Sequence, residues 1–263
     1  MLRIAAFAVT LAAMGPAAAA DFNPPAPVAS LTPAFSWSGP YAGLALGYGW
    51  ASANQTYSIS SATLAAAPPI IPVIDASGSR QLEPRGPLYD ADVGYLWQSK
   101  DGFVFGVEGD LAATGVRGVQ NNGGNIPNYP PGYPYSIAQK LAPEVQAEIR
   151  AKFGYTPTDQ TLVYMIGGPA FALLRYTSAF TDIWAENEGV SLTTWRPGWT
   201  LGAGGEYAIS AHWSVKAEYA YAQFLPATGQ GSTVLTDGTT AYAAHSTGIV
   251  KENSLRVGIN YHF

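Results

Sequence analysis

The sequence predicts an all-β chain: an eight-stranded antiparallel transmembrane β-barrel of the outer-membrane type, with long extracellular loops and short periplasmic turns. Three observations carry this. Seven of eight apolar-rich segments alternate with period two, the strand period. The connectors between the segments alternate long and short. The chain is 48% apolar and only 12% charged, yet beyond residue 20 no run of eighteen uncharged apolar residues offers a membrane-crossing helix.

The elements follow in order. Residues 1–20, "MLRIAAFAVTLAAMGPAAAA", place a positive Arg3 before an apolar middle and end on small residues. They read as a secretory signal, with cleavage expected after Ala20 on the Ala18-x-Ala20 pattern, an N-terminal membrane anchor being the alternative. Removing Arg3 from 13 basic residues leaves 12 against 18 acidic, a net charge of −6. Residues 21–37 are Pro-rich and read as an extended leader rather than a folded element. The barrel is expected over 38–263.

Within it, "GPYAGLALGYGW" places Leu44, Leu46, Tyr48 and Trp50 on one face and glycines with Ala45 on the other. "LYDADVGYLW" sets Tyr89, Val93, Tyr95 and Trp97 against Asp90 and Asp92. "GFVFGVEGDLA" sets Phe105, Val107 and Leu111 against Glu108 and Asp110. "VQAEIRAKFGY" sets Ile149, Phe153 and Tyr155 against Glu148, Arg150 and Lys152; its charges fit period two better than a helical period. "TLVYMIGGPAFAL" alternates less cleanly and carries Pro169. "GWTLGAGGEY" and "WSVKAEYAYAQF" put Glu206, Lys216 and Glu218 opposite Trp199, Leu201, Trp213 and Tyr219. The last, "SLRVGINYHF", sets Leu255, Val257, Ile259, Tyr261 and Phe263 against Arg256 and Asn260. Short links at 98–102, 156–160 and 208–212 alternate with long gaps at 51–84, 115–143, 175–196 and 225–251. An even-stranded meander with both termini on one side produces that order.

In lipid the greasy face turns outward, because a spanning sheet must close on itself to satisfy its backbone. The inward set is then Asp90, Asp92, Glu108, Asp110, Glu148, Arg150, Lys152, Glu206, Lys216, Glu218, Arg256 and Asn260. Eight strands enclose little more space than their own side chains fill, and buried charges must pair. These residues are therefore expected to form a packed ionic network that blocks or narrows the lumen; an ion-selective pore lined by Glu108, Asp110 and Arg256 is the alternative. Arg256 is expected near Glu108, Glu206 or Glu218. Trp50, Tyr95, Trp97, Trp199, Trp213, Tyr261 and Phe263 are expected in interfacial girdles.

The segments "WSGPYAGLALGYGW", "VGYLWQSKDGFVFGVEGDL", "IRAKFGY", "GWTLGAGGEYAISAHWSVKAEYAYAQF" and "ENSLRVGINYHF" together resemble the small alphaproteobacterial outer-membrane β-barrel family, relatives of the opacity and surface-antigen porin-like barrels. The resemblance covers about half of the mature chain, mostly strands. It implies an outer-membrane protein of a Gram-negative cell envelope, in contact with outer-membrane lipid and lipopolysaccharide. It also implies insertion by the barrel assembly machinery, with Val257, Ile259, Tyr261 and Phe263 resembling the recognition signal. Asp90 and Asp92 make the second strand more acidic than is usual there. Pro169 falls where the family is Gly-rich, so a bulge or early strand end is expected.

Other chemistries have little support. The chain has no cysteine, which excludes disulfides and thiolate chemistry, and no basic run that would hold nucleic acid. A lipid-modifying enzyme at the extracellular rim is the functional alternative. Of the three histidines only His245, beside Ser246 in the last long loop, would sit on the correct side. Asp182, Glu186 and Glu188 read as a solvated acidic loop rather than a calcium site. "GLALGYG" and "GAGGEY" lack the context of a phosphate loop. The expected role is structural or surface-interacting with at most narrow porin activity and no cofactor, and with an unidentified extracellular ligand reached through the loops. A soluble ligand-carrying barrel would need its charges on the opposite face.

Overall fold

The computed structural model describes residues 35–66, 70–126, 132–183 and 186–263. The signal segment 1–20, its cleavage point and the leader up to residue 34 lie outside the described residues.

Eight strands form the wall: β1 Gly39–Asn54, β2 Arg85–Gln98, β3 Phe103–Thr114, β4 Tyr133–Thr158, β5 Thr161–Asp182, β6 Glu188–Ala208, β7 Trp213–Phe224 and β8 Val250–His262. Each pairs antiparallel with the next. β8 then pairs with β1 from Tyr41↔His262 to Ser52↔Lys251, so over the span that all eight strands share the sheet closes into a barrel without a free edge. Among the described residues no helix is long and apolar enough to cross a membrane; strands make the crossing.

Three tight links join β2 to β3, β4 to β5 and β6 to β7 at one end. The first requires Gly102, whose φ of +82° is disfavoured for a side chain; its N–H donates to Ser99 O at 3.2 Å. In barrels of this type the short turns are periplasmic.

The other end departs from the expected loops. β4, β5 and β6 run 26, 22 and 21 residues, against 12 for β7. A strand rises about 3.3 Å per residue, so the first three continue well past the level at which β7 stops. Gly118–Ile126 pairs with the outer part of β4. A separate three-stranded sheet forms from Thr228–Val234, Thr240–Ser246 and Thr56–Ser60. Two helices, α1 Ala62–Ala65 and α2 Ile70–Gly78, complete this end. α2 buries Ile70, Ile74 and Gly78, one face at fourfold spacing. A Cβ on Gly78 would lie 2.5 Å from the Cβ of Tyr57, so glycine is what lets α2 approach that strand. The gaps read from the sequence as loops are thus largely ordered.

Pro169 neither ends nor bulges its strand, contrary to expectation. β5 continues through it to Asp182, with Pro169 opposite Trp199 of β6. Toward β4 the ladder lapses across Ile149 and Arg150 and resumes in the same register on both sides. Gly168 permits this: a Cβ there would meet Ile149 O at 2.1 Å. The ladder's two register shifts fall instead between Tyr155 and Thr158, beside the short turn, and between Pro143 and Val145 of β4, where the extra residue, Glu144, pairs with Arg175 at 3.1 Å.

Candidate functional site

Strand alternation sorts the wall into two surfaces. Leu44, Val93, Val107, Ile149, Leu201, Leu255, Val257, Ile259 and Phe263 are exposed on the outside, Phe263 the most at 72%. The girdle aromatics Trp50, Tyr95, Trp97, Trp199 and Trp213 are exposed as well. Asp90, Asp92, Glu108, Asp110, Glu148, Arg150, Lys152, Glu206, Lys216, Glu218, Arg256 and Asn260 are all buried on the inside.

Arg150 stands at the centre. Its guanidinium reaches Glu218 at 2.7 Å, Asp110 at 2.9 Å and Glu148 at 3.4 Å, and also bonds Glu108. Lys152 Nζ reaches Glu108 Oε2 at 2.9 Å and lies 4.5 Å from the centre of the Tyr164 ring, a cation–π geometry. Tyr41 donates its hydroxyl to Glu108, and Lys216 bonds Asp92. Nearer the short turns, Glu206 accepts from Asn260 at 2.8 Å and from Ser214, and lies 3.2 Å from His262 Nε2. Nearer the outer end, Gln146 donates to both oxygens of Glu252 at 2.9 Å.

Arg256 is placed differently from expectation. It bonds Asp90 and Asp110 at 3.1 Å each and approaches Glu148 at 3.6 Å. Glu218 is its backbone neighbour on β7 but turns its carboxylate to Arg150 and Tyr164. Side chains in a closed barrel point at a common axis, so a long guanidinium reaches across the lumen rather than to the next strand.

Eight buried carboxylates, Glu252 included, share this layer with four Lys and Arg side chains. The layer is therefore acid-rich.

Apolar layers lie on either side of it. Toward the short turns, Trp37, Leu96, Val104, Leu162, Ile166 and Ala208 cluster, with Phe35 against them. Trp37 is fully buried and donates its indole N–H to Asp159 O at 3.2 Å. The end of the Pro-rich segment is thus tucked into the barrel mouth, although it forms no strand or helix. Toward the outer end, Ala53, Leu82, Leu141, Leu174, Tyr176, Phe224 and Val250 make the second apolar layer.

Beyond that layer lies the extracellular core, built from Tyr57, Ile59, Ile70, Ile74, Ile126, Tyr135, Ile137 and Phe180. Glu186 and Glu188 are buried here rather than solvated, because the neighbouring strands are ordered over them. Glu188 accepts from His245 Nε2 at 2.9 Å and from the Tyr57 hydroxyl at 3.3 Å. Burial, then the charge of Glu188, pushes the Tyr57 hydroxyl well above its ordinary pKa, so it remains a donor. His245 and Ser246 follow one another on a single strand, and their side chains leave on opposite faces. Among the described residues no group of three or more His, Asp or Glu is arranged to hold a metal.

Several inward residues escape a reading that collects charges alone, Tyr41, Tyr164, Gln146, Ser214 and His262, and one charge, Glu252, is missed outright. Parity could have found Tyr41, which shares its face with Gly43 and Ala45. Glu252 lies upstream of the segment in which alternation is obvious.

The family model described as "Outer membrane protein beta-barrel domain" matches residues 5–263. The chain is similar to the 31 kDa outer-membrane immunogenic protein of Brucella melitensis, at 31% identity over 92% of this chain and 90% of that protein. It is similar to the 25 kDa outer-membrane immunogenic protein of Brucella abortus at 28%, over 91% and 84%. Among solved structures it is similar to Ail, the attachment invasion locus protein of Yersinia pestis, crystallised with the heparin analogue sucrose octasulfate. That likeness has a TM-score of 0.35 and 14% identity, covering 86% of this chain and 99% of that one.

Proposed function

The chain belongs to the outer-membrane β-barrel family and resides in the outer membrane, and from that premise we propose that it is a closed, non-enzymatic envelope scaffold that presents an ordered extracellular surface. The observation that carries this reading is the layering of the lumen. An ionic layer centred on Arg150 is bounded below by the cluster around Trp37 and above by the cluster around Phe224 and Leu141. An ion entering the lumen would have to cross both apolar layers, at a high desolvation cost. The eight-to-four excess of carboxylates directs any residual leak to cations.

The length of β4, β5 and β6 supports the surface role: at the outer end they continue into ordered strand, joined by two helices, that the crossing itself does not need. The relatives are named as immunogenic proteins, which fits presentation of that surface to the outside. A rim-located lipid-modifying enzyme has no support in the geometry of His245, which is buried against Glu188 and faces away from Ser246. Lipopolysaccharide is the natural neighbour of the exposed apolar belt. The barrel assembly machinery is the proposed reader of Val257, Ile259, Tyr261 and Phe263, which lie exposed or half-exposed on one face of β8 and just beyond it.

Planar-bilayer recording with the refolded protein tests the closed state. The expected result is the absence of regular large steps, with rare cation-selective openings; steady porin-like conductance contradicts it. Phe263→Asp tests the assembly signal. Outer-membrane levels of that variant are expected to drop severalfold, and undiminished levels contradict the assignment.

A further inference from the structure

The extracellular half contains a cavity of about 180 Å3. An apolar cavity of about 150 Å3 holds benzene, so this one takes a single small ring or a short branched alkyl group. Its depth is lined by Ile59, Leu64, Ile70, Ile74, Ile126 and Phe180, contributed by α1, α2 and the ends of three strands. An aliphatic pocket of this kind selects by shape and, through desolvation, against charge.

Glu186 reverses that preference for a cation. It lines the same cavity, and its residue is only 8% exposed. Its Oε1 accepts the Thr236 backbone N–H at 2.7 Å, and among the described residues no Lys, Arg or His pairs with it. Glu188, two residues on, is buried to a similar degree but has His245 at 2.9 Å. A buried carboxylate beside apolar walls is costly without a counter-charge, and one backbone amide offsets only part of that cost. Two aromatic residues, Tyr133 and Phe180, also line the space, and aromatic rings can attract cations over their faces. At the mouth, Asp237 accepts from Thr63 Oγ1 at 2.9 Å and from Thr239 N and Oγ1 at 2.9 and 2.6 Å. The Thr239 hydroxyl and amide, with Thr63, hold that carboxyl below its usual range, so the entrance is anionic. The missing member of this arrangement is a cation with an apolar body.

We infer that this cavity binds a small organic ammonium ion, its apolar body filling the isoleucine-lined depth and its charged head meeting Glu186. Steering by Asp237 precedes binding; Glu186 sets selectivity against neutral and anionic molecules of the same shape. The site is independent of whether the lumen conducts.

Benzylammonium is a suitable probe, with benzyl alcohol as its neutral twin, each titrated by calorimetry or NMR into the refolded full chain at pH 7. Benzylammonium is expected to bind saturably, and benzyl alcohol at least about tenfold more weakly, since a hydrogen bond to a charged group accounts for that ratio or more. Glu186→Gln keeps the shape and removes the charge. It is expected to weaken benzylammonium at least about tenfold while leaving benzyl alcohol unchanged. Ile74→Trp fills the cavity and is expected to abolish both; Ile70→Phe serves if the first variant does not give a heat-modifiable folded band. Equal affinity of the native chain for the two probes, equal affinity of the native and Glu186→Gln proteins for benzylammonium, persistence of binding in the filled cavity, or absence of saturation each overturns the proposal.

Discussion

The membrane-level lumen and the extracellular core are continuous parts of one barrel wall, yet they are filled in opposite ways. The same strand shows both. Along β4, reading outward from the short turn, the inward positions include Lys152, Arg150, Glu148 and Gln146, and then Leu141, Gln139, Ile137 and Tyr135, Gln139 being the one polar member of the outer set. The lower part holds together through charge-assisted hydrogen bonds in which each cation serves several carboxylates. The upper part holds together by aliphatic and aromatic packing and leaves a cavity. Inside the membrane the greasy side chains are committed to the lipid face, and glycines and charges fill the narrow interior. Outside the membrane, water replaces lipid, and apolar side chains turn inward as they do in a soluble domain.

The difference makes the two regions break differently. The largest effect is expected from Arg150→Met. It leaves Glu108, Asp110, Glu148 and Glu218 without the cation they share, at a cost of about 3–5 kcal/mol, the usual penalty for stripping one partner from a buried ionic cluster. Urea titration followed by heat-modifiable gel migration should show the whole barrel destabilised, because the network ties β2, β3, β4, β7 and β8 together. A wild-type midpoint would show that the charges are dispensable.

Ile74→Ala should cost about 2–3 kcal/mol through the enlarged cavity, but locally. Limited proteolysis should cut the extracellular half near 61–80 while the heat-modifiable band persists. Loss of the folded band along with protease resistance would mean that the two regions form one cooperative unit.

The smallest effect concerns pH. Asp75 accepts the Ile59 amide at 2.8 Å, and burial raises its carboxyl above the ordinary value. An acid whose pKa rises on folding is penalised when ionised. The penalty is absent at low pH and complete once the pH has passed the folded pKa. The outer core should therefore loosen slightly as pH rises through the carboxylate range, and Asp75→Asn should remove that dependence. Hydrogen exchange of α2 amides across that range is the measurement, and an unchanged profile in the variant would count against it.

Much of the barrel was legible in the sequence, because a membrane-spanning strand must display its two environments residue by residue. Leu255, Val257 and Ile259 against Arg256 and Asn260 already name the outside and the inside. The outer end was less legible. "TYSIS" and "TAYAAHS" also alternate, but over five and seven residues with mostly small side chains, and their apolar partners on α2 lie elsewhere in the chain. Glu186 and Glu188 looked solvated for the same reason: what covers them comes from residues 228–246. Trp37 was hidden in a Pro-rich stretch whose composition says nothing of where its single indole ends up.

By itself the sequence determined that the chain is all-β, that seven of the eight strands alternate with period two, and, Glu252 apart, which charges of the membrane-level strands face inward. These follow from local alternation, which any residue and its neighbours express. Only the tertiary structure decided which charges meet, so that Arg256 serves Asp90 and Asp110 while Glu218 turns to Arg150. It alone decided that Trp37 fills the mouth, that β5 passes straight through Pro169, and that Glu186 lines an apolar cavity. Each of these depends on groups brought together across a closed ring or from distant segments, and distance across a lumen is not written in the spacing of residues along a strand.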